Sequence, residues 1–277
     1  MAHESKSDRD LFYALARSSE EAERLNQQAE LWGEATSRVL DRLELAPGMS
    51  CLDLGCGAGD VMIALGRRVG PSGSVLGVDT DADLGLRVAH ELNKTGISNF
   101  SFLDADITTP ESLPTELFDA TSTRFLLIHL QDPVAALRTM WDLTKPGGVL
   151  VAFDYDFRTH DTHPACPELE EFITVVDGVF EKAGLDPRIG SKLPHYLECA
   201  AAGAPDGVEV AGFIKPVAEL REFLLLAYRS LLPAALELGV TTDGKAEKLI
   251  AFLEGEAADT NSYWLSALYC GVWKRKQ

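Results

Sequence analysis

The sequence predicts an α/β protein built on an open, mostly parallel sheet with helices on both faces. Three observations carry that prediction. An apolar run ends in Cys51-Leu52-Asp53-Leu54-Gly55-Cys56-Gly57-Ala58-Gly59-Asp60, a glycine-rich turn that opens directly into a helical pattern from Val61. Further runs of strand length follow at 74–79, 100–106, 118–124 and 149–154, most of them separated by helix-period stretches. The 277 residues suffice to bury one such domain with additions.

The glycine turn sets the chemistry. A parallel strand that runs straight into a helix leaves backbone N–H groups facing a crevice beyond the strand's carboxyl end, where open α/β sheets bind ligands. Gly55, Gly57 and Gly59 can take positive φ and let a ligand lie against the main chain. Their spacing is G-x-G-x-G, whereas a dinucleotide fingerprint needs G-x-G-x-x-G, and Asp60 stands where its third glycine would be. With Asp53 ahead of the turn, these carboxylates disfavour a pyrophosphate and favour a ligand bearing an ammonium or sulfonium charge.

Bulk composition narrows the partners. The formal charge is −18, from 43 acidic and 25 basic residues, so a nucleic-acid backbone would be repelled over most of the surface. Five cysteines, Cys51, Cys56, Cys166, Cys199 and Cys270, lack metal-site spacing and suggest no disulfide framework. No 18-residue apolar run or apolar leader segment occurs, so a soluble, cytoplasmic protein without a membrane partner is expected.

Taken in order, residues 8–45 read as helical, with Leu11, Leu15, Leu25, Ala29, Trp32, Val39, Leu40 and Leu43 at helical spacing. Ala46-Pro47-Gly48 ends that region and admits the first strand. After the glycine turn, Val61, Ala64, Leu65 and Val69 form a helix face, and 74–79 is the second strand, ending in Asp79. Asp79 stands where a βαβ unit places the carboxylate that binds ribose hydroxyls, with Thr80 beside it. A helix is expected over 82–94. The third strand ends Asp104-Ala105-Asp106-Ile107, the fourth runs from Phe118-Asp119 to Arg124, and Asp132-Pro133 caps the next helix. Lys145-Pro146-Gly147-Gly148 is a turn before the fifth strand.

These features, in this order across residues 47–156, resemble the motifs of class I S-adenosylmethionine-dependent methyltransferases of the small-molecule type, as in quinone biosynthesis or secondary metabolism. The resemblance implies a Rossmann-like seven-stranded sheet, a helical lid over 1–45, a core over 46–214, a helical cap inserted over 215–261, and a final strand of the core sheet over 262–277. It implies S-adenosyl-L-methionine as cofactor, bound by Asp53, Gly55, Cys56, Gly57, Gly59, Asp79 and Thr80. Asp106 and Ile107 would read adenine, with Asp104 as the competitor, and Arg124 and Phe125 would lie beside the methionine part. Tyr13, Arg24 and Gln28 are candidates to reach the pocket from the lid.

Methyl transfer from a sulfonium is an in-line displacement on an activated carbon, so holding the reactants together does much of the work and a base is optional. The candidate bases are His129, Asp156 and His160. Tyr13, Asp154, Tyr155 and His195 are candidate substrate contacts, with Tyr196 beside them. His160 and His163, with Asp161 between them, form an H-x-x-H loop pattern that does not amount to a metal site at useful spacing, so no metal is expected. The expected function is methyl transfer to an O, N or C atom of a small, aromatic or secondary-metabolite acceptor, by a monomer or homodimer that does not act on nucleic acid. The alternatives are an NAD(P)-dependent oxidoreductase and a non-transferring S-adenosylmethionine-binding protein or cyclase.

Overall fold

The computed structural model describes residues 19–85, 88, 92 and 99–277. Tyr13 and most of the expected 82–94 helix lie outside these residues, although 82–85, 88 and 92 are helical. The chain divides into two compact units.

The larger unit, Ala29–Asp156 with Arg188–Ala211 and Leu268–Gln277, holds a seven-stranded sheet. Its strands are β1 (Ser50–Leu54), β2 (Ser74–Asp79), β3 (Phe100–Asp104), β4 (Phe118–Arg124), β5 (Thr144–Asp156), β7 (Gly207–Ala211) and β10 (Leu268–Arg275). Their order is β3-β2-β1-β4-β5-β10-β7. Neighbours among β1 to β5 pair in parallel, and β10 is antiparallel to both β5 and β7. This is the Rossmann-like, mostly parallel sheet that the sequence predicts. Its central strands are buried on both faces; β5 reads as a continuous apolar run over Val149–Phe153, whereas β4 buries Thr121, Ser122 and Thr123.

Helices flank the sheet. α1 (Ser19–Leu40) sends Trp32, Ala35, Thr36, Val39 and Leu40, at spacings of three and four, into the core of this unit. α2 (Asp60–Val69) carries its acid in the first turn and Arg67 and Arg68 in the last, matching the helix dipole. α3 (Pro133–Leu143) starts as expected, with Pro133 in the first turn and the Asp132 carboxylate accepting the Ala135 N–H at 2.9 Å. Asp119 explains why the fourth and fifth strands keep their opening residues. Its Oδ2 accepts the Ser50 N–H at 2.8 Å and the Lys145 ammonium at 2.9 Å, tying together the starts of β1, β4 and β5. The Lys145–Gly148 turn is part of β5, held in the register shift where β5 leaves Phe118 and rejoins Ala120.

The smaller unit takes the described residues up to Gln28 together with Phe157–Pro187 and Gly212–Ala267. It contains a three-stranded antiparallel sheet of β6 (Asp161–His163), β9 (Tyr263–Leu265) and β8 (Ile214–Pro216), and the helices α4 (Pro167–Lys182), α6 (Val217–Glu237) and α7 (Asp243–Glu254). α6 and α7 fall within residues 215–261. The boundary is not where the sequence put it, because 157–187 belongs here and not with 46–156. Thr162 pairs with Trp264, and Phe172 of α4 meets Trp264 edge-on at 5.6 Å and Tyr228 of α6 at 6.2 Å, so this stretch shares a core with the insertion. The expected single strand over 262–277 is two strands, β9 and β10. Ser266 breaks it by turning its hydroxyl onto the Ala267 carbonyl and receiving the Phe213 N–H at 3.0 Å. The short α5 (Leu193–Cys199) lies in the larger unit. No helix among the described residues is long and apolar enough to cross a membrane.

Candidate functional site

The glycine turn between β1 and α2 is formed as its residue types require. Gly55, Gly57 and Gly59 have φ of 69, 49 and 79°, values that L side chains adopt only with strain. The Gly55 and Cys56 N–H groups bond to the Val78 carbonyl at 2.8 and 3.1 Å, which sets the turn against the end of β2. The Asp79 carboxylate holds the other side: Oδ2 accepts the Gly57 N–H at 2.9 Å and Oδ1 the Asp81 N–H at 3.1 Å. Asp79 thereby shapes the turn as well as bordering it, a task that the sequence did not reveal. Cys56 contributes its backbone only, since its thiol is buried against Gly77 and burial holds it well above the usual thiol range.

Carboxylates gather around this turn. Asp53, 2 % exposed, accepts the Ser122 hydroxyl at 2.6 Å. Burial first, and the charges of Asp60 and Asp79 second, push Asp53 up to about 7, against the Ser122 hydrogen bond and the Arg124 charge. Burial likewise raises Asp79. The Thr80 hydroxyl oxygen is buried with no protein partner among the described residues, a polar atom that a ligand hydroxyl can satisfy. Asp106 turns Oδ1 onto the Thr108 N–H at 2.8 Å, Ile107 is buried next to it, and Asp104 is exposed.

The raised Asp53 value yields a pH dependence with a definite sign. A carboxyl whose folded value lies above its unfolded value adds stability in acid and loses that contribution as pH rises through about 7. A cationic ligand needs the ionised form, so its affinity should increase from about pH 6 to about pH 8 while ligand-free stability declines. Titrations and thermal melts across that range measure both trends. Asp53→Asn should flatten them, and persistence of both slopes in that variant would discard the assignment.

At the end of β4, Arg124 and Phe125, both named from the sequence, meet Thr36 and Tyr269, which local sequence did not single out. The Arg124 guanidinium pairs with the Asp60 carboxylate and donates to Thr36 Oγ1 at 3.2 Å. Phe125 follows with a φ of 58°, strained for a non-glycine residue, and its ring stacks on Tyr155 at 4.0 Å. Tyr155 meets Trp32 edge-on at 5.8 Å, and Trp32 stacks on Tyr269 at 5.1 Å. Trp32 and Thr36 come from α1 and Tyr269 from β10, far away in sequence, so no motif spacing joins them to Arg124. Burial of Trp32 on the α1 face was the only local signal.

The remaining candidates separate. Asp154 is fully buried and spends its carboxyl on the backbone, with Oδ2 accepting the Ile128 N–H at 3.0 Å and Oδ1 the Tyr155 N–H at 2.9 Å. Its expected substrate contact is therefore corrected to a tie between β5 and the 127–129 turn. Asp156 is buried as the last residue of β5, and His129 is exposed on that turn. His160 belongs to the smaller unit, packed between Phe157 at 5.0 Å and Trp264 at 4.9 Å. Burial pushes it down to about 3, which makes it a poor base near neutrality. His163 pairs with Asp161 at 3.2 Å. His195 is exposed on α5 with its Nε2 3.5 Å from Cys199 Sγ, and Tyr196 adjoins it. Arg24 is paired with Glu21 at 2.6 Å, and Gln28 is buried. No group of three or more potential metal ligands occurs among the described residues.

Comparison with known proteins gives consistent matches. A family model described as a methyltransferase domain matches residues 45–196. The nocamycin O-methyltransferase of Saccharothrix syringae is 29 % identical over 207 residues, covering 71 % of this chain and 70 % of that protein. The demethylmenaquinone methyltransferase of Staphylococcus carnosus is 34 % identical over 128 residues, 46 % of this chain and 51 % of that protein. Over the first three curated relatives the match spans 50, 42 and 51 % of their length, so the chain spans about half of those proteins. A solved structure of geranyl diphosphate C-methyltransferase from Streptomyces coelicolor, in complex with geranyl diphosphate and S-adenosyl-L-homocysteine, superposes with a TM-score of 0.53. It covers 94 % of this chain and 85 % of that one at 14 % identity, a likeness of fold.

Proposed function

From the premise that this chain belongs to the methyltransferase-domain family, whose model spans residues 45–196, we propose that it transfers a methyl group from S-adenosyl-L-methionine to a small-molecule acceptor. The observation that carries this reading is the turn itself. Three left-handed glycines form it, Asp79 holds the middle one, and the rim carries Asp53, Asp60 and Asp79, which suits a cationic ligand and opposes a pyrophosphate.

The residues present fit the cofactor. Asp79 and the buried Thr80 hydroxyl would hold the ribose, Asp106 and the Ile107 backbone the adenine, and Gly55, Gly57 and Gly59 would let the chain approach it closely. Asp53 and Asp60 face its positive end, and Arg124 and Phe125 the methionine part. When bound, the cofactor supplies an electrophilic methyl on sulfur. The protein's share is to orient, to exclude water and to place the acceptor in line. The relatives named above act on a demethylated quinone, on nocamycin and on geranyl diphosphate, by their names, and a small apolar or aromatic acceptor is proposed here. No dedicated base is required by this reading, and burial holds His160, one of the three candidates, neutral near pH 7. A cytoplasmic monomer or homodimer with no nucleic-acid or membrane partner completes it, supported against nucleic acid by the net charge of −18.

Calorimetric titration with S-adenosylhomocysteine, with NAD in parallel, tests the proposal. Binding of the first alone, followed by acceptors that gain one methyl by mass, supports it. Binding of NAD alone would replace it with the oxidoreductase reading, and cofactor binding with an acceptor rearranged at unchanged mass would replace it with the cyclase reading.

A further inference from the structure

Arg124 is a charged side chain that is only 7 % exposed, and the protein uses little of its donor capacity. A guanidinium carries five N–H groups. One bonds to the Asp60 carboxylate and one to Thr36 Oγ1, and the other three find no acceptor among the described residues. A buried guanidinium with unused donors beside a ligand crevice calls for an anionic acceptor, and a carboxylate matches its fork.

The Thr36 hydroxyl that holds Arg124 is itself fully specified. It donates to the Trp32 carbonyl at 3.0 Å, which uses its single hydrogen, so it accepts from Arg124 at 3.2 Å and from the Tyr269 hydroxyl at 2.7 Å. Tyr269 is fully buried, stacked on Trp32 at 5.1 Å and on Phe153 at 5.5 Å, so its hydroxyl oxygen is held in place. Burial raises its pKa, and the phenol remains a donor. The chain of bonds Tyr269 to Thr36 to Arg124 links β10, α1 and β4, and Arg124 closes it onto Asp60 at the start of α2.

We infer that Thr36 and Tyr269 are positioning residues that aim Arg124 at the α-carboxylate of the amino-acid end of the cofactor. The inference rests on the proposed function and adds a determinant to it. Asp60 and Arg124 pair through one hydrogen bond without ligand, and together they present one negative and one positive group, the complement of an amino-acid zwitterion. Neither Thr36 nor Tyr269 touches the ligand; each acts by fixing the guanidinium.

The test compares S-adenosylhomocysteine with 5′-methylthioadenosine, which keeps the adenosine and the thioether and lacks the amino-acid end. The wild type should bind the first at least about tenfold more tightly, the scale of charge-assisted hydrogen bonds to one carboxylate. Thr36→Val and Tyr269→Phe should each lose most of that preference while binding methylthioadenosine as before, and Thr36→Ser should restore it. The double variant, which replaces both hydroxyls with apolar groups, guards against a buried orphan, and methylthioadenosine binding reports its fold. Equal wild-type affinities would assign the carboxylate to the acceptor and overturn the inference while the proposed function stands. Parallel loss of both ligands in the variants would reduce Thr36 and Tyr269 to structural residues, again overturning it. A wild type that binds neither ligand removes the proposed function itself, and the inference with it.

Discussion

Gly59→Val is expected to abolish S-adenosylhomocysteine binding and to destabilise the protein by about 2–5 kcal/mol, the sum of a β-branched residue at positive φ and an overpacked contact. Gly59 has a φ of 79°, and a Cβ there would lie 2.5 Å from Val88 Cγ1. Val88 presents Cγ1, Cγ2 and Cβ to that point at 2.5, 3.4 and 3.6 Å, so a side chain on Gly59 forces the contact to give. Gly59 is the residue from which α2 starts, and its own N–H bonds to the Cys56 carbonyl at 2.9 Å, so yielding there displaces the turn and the helix N-terminus together. Urea denaturation measures the first effect and calorimetry the second. A variant that keeps wild-type affinity would show that the turn is not the binding element.

Asp79→Ala should weaken the same ligand by about 1.5–3 kcal/mol, the cost of losing charge-assisted hydrogen bonds. Binding should suffer more than folding. The substitution removes the acceptor of the Gly57 and Asp81 N–H groups, but it also relieves the burial that raises this carboxylate. Asp79→Asn, which keeps one carbonyl acceptor, should fall between the two. Unchanged affinity in the alanine variant would sink the ribose assignment, and a collapse of stability equal to the loss of binding would make Asp79 purely structural.

Much of the nucleotide-type half of the site was legible in the chain because it is local. Gly55 to Asp60 and Asp79 belong to one strand-turn-helix-strand unit, where each residue's place follows from backbone geometry and period-two alternation. The Gly57–Asp79 bond was not foreseen, although both residues were named, since spacing tells that two groups are near and not which of them bond. Asp154 misled for the opposite reason: a carboxylate at a strand's carboxyl edge looks available, and only the turn of 127–129 packed beside it shows where its lone pairs go. His160 misled likewise, because a polar loop in the sequence is a packed aromatic corner in space.

By itself the sequence determined a mostly parallel sheet, the glycine turn and the carboxylates on its rim, which lie within one strand-turn-helix-strand stretch. Tertiary structure alone decided that 157–187 shares a core with the 215–261 helices. It also decided that Thr36 and Tyr269, from α1 and β10, hold the arginine of β4. The physical reason is the same in each case. Hydrophobic burial is not directional, so an apolar or aromatic residue announces that it will be buried without announcing its neighbours, and hydrogen bonds between distant elements form only after packing has brought them together.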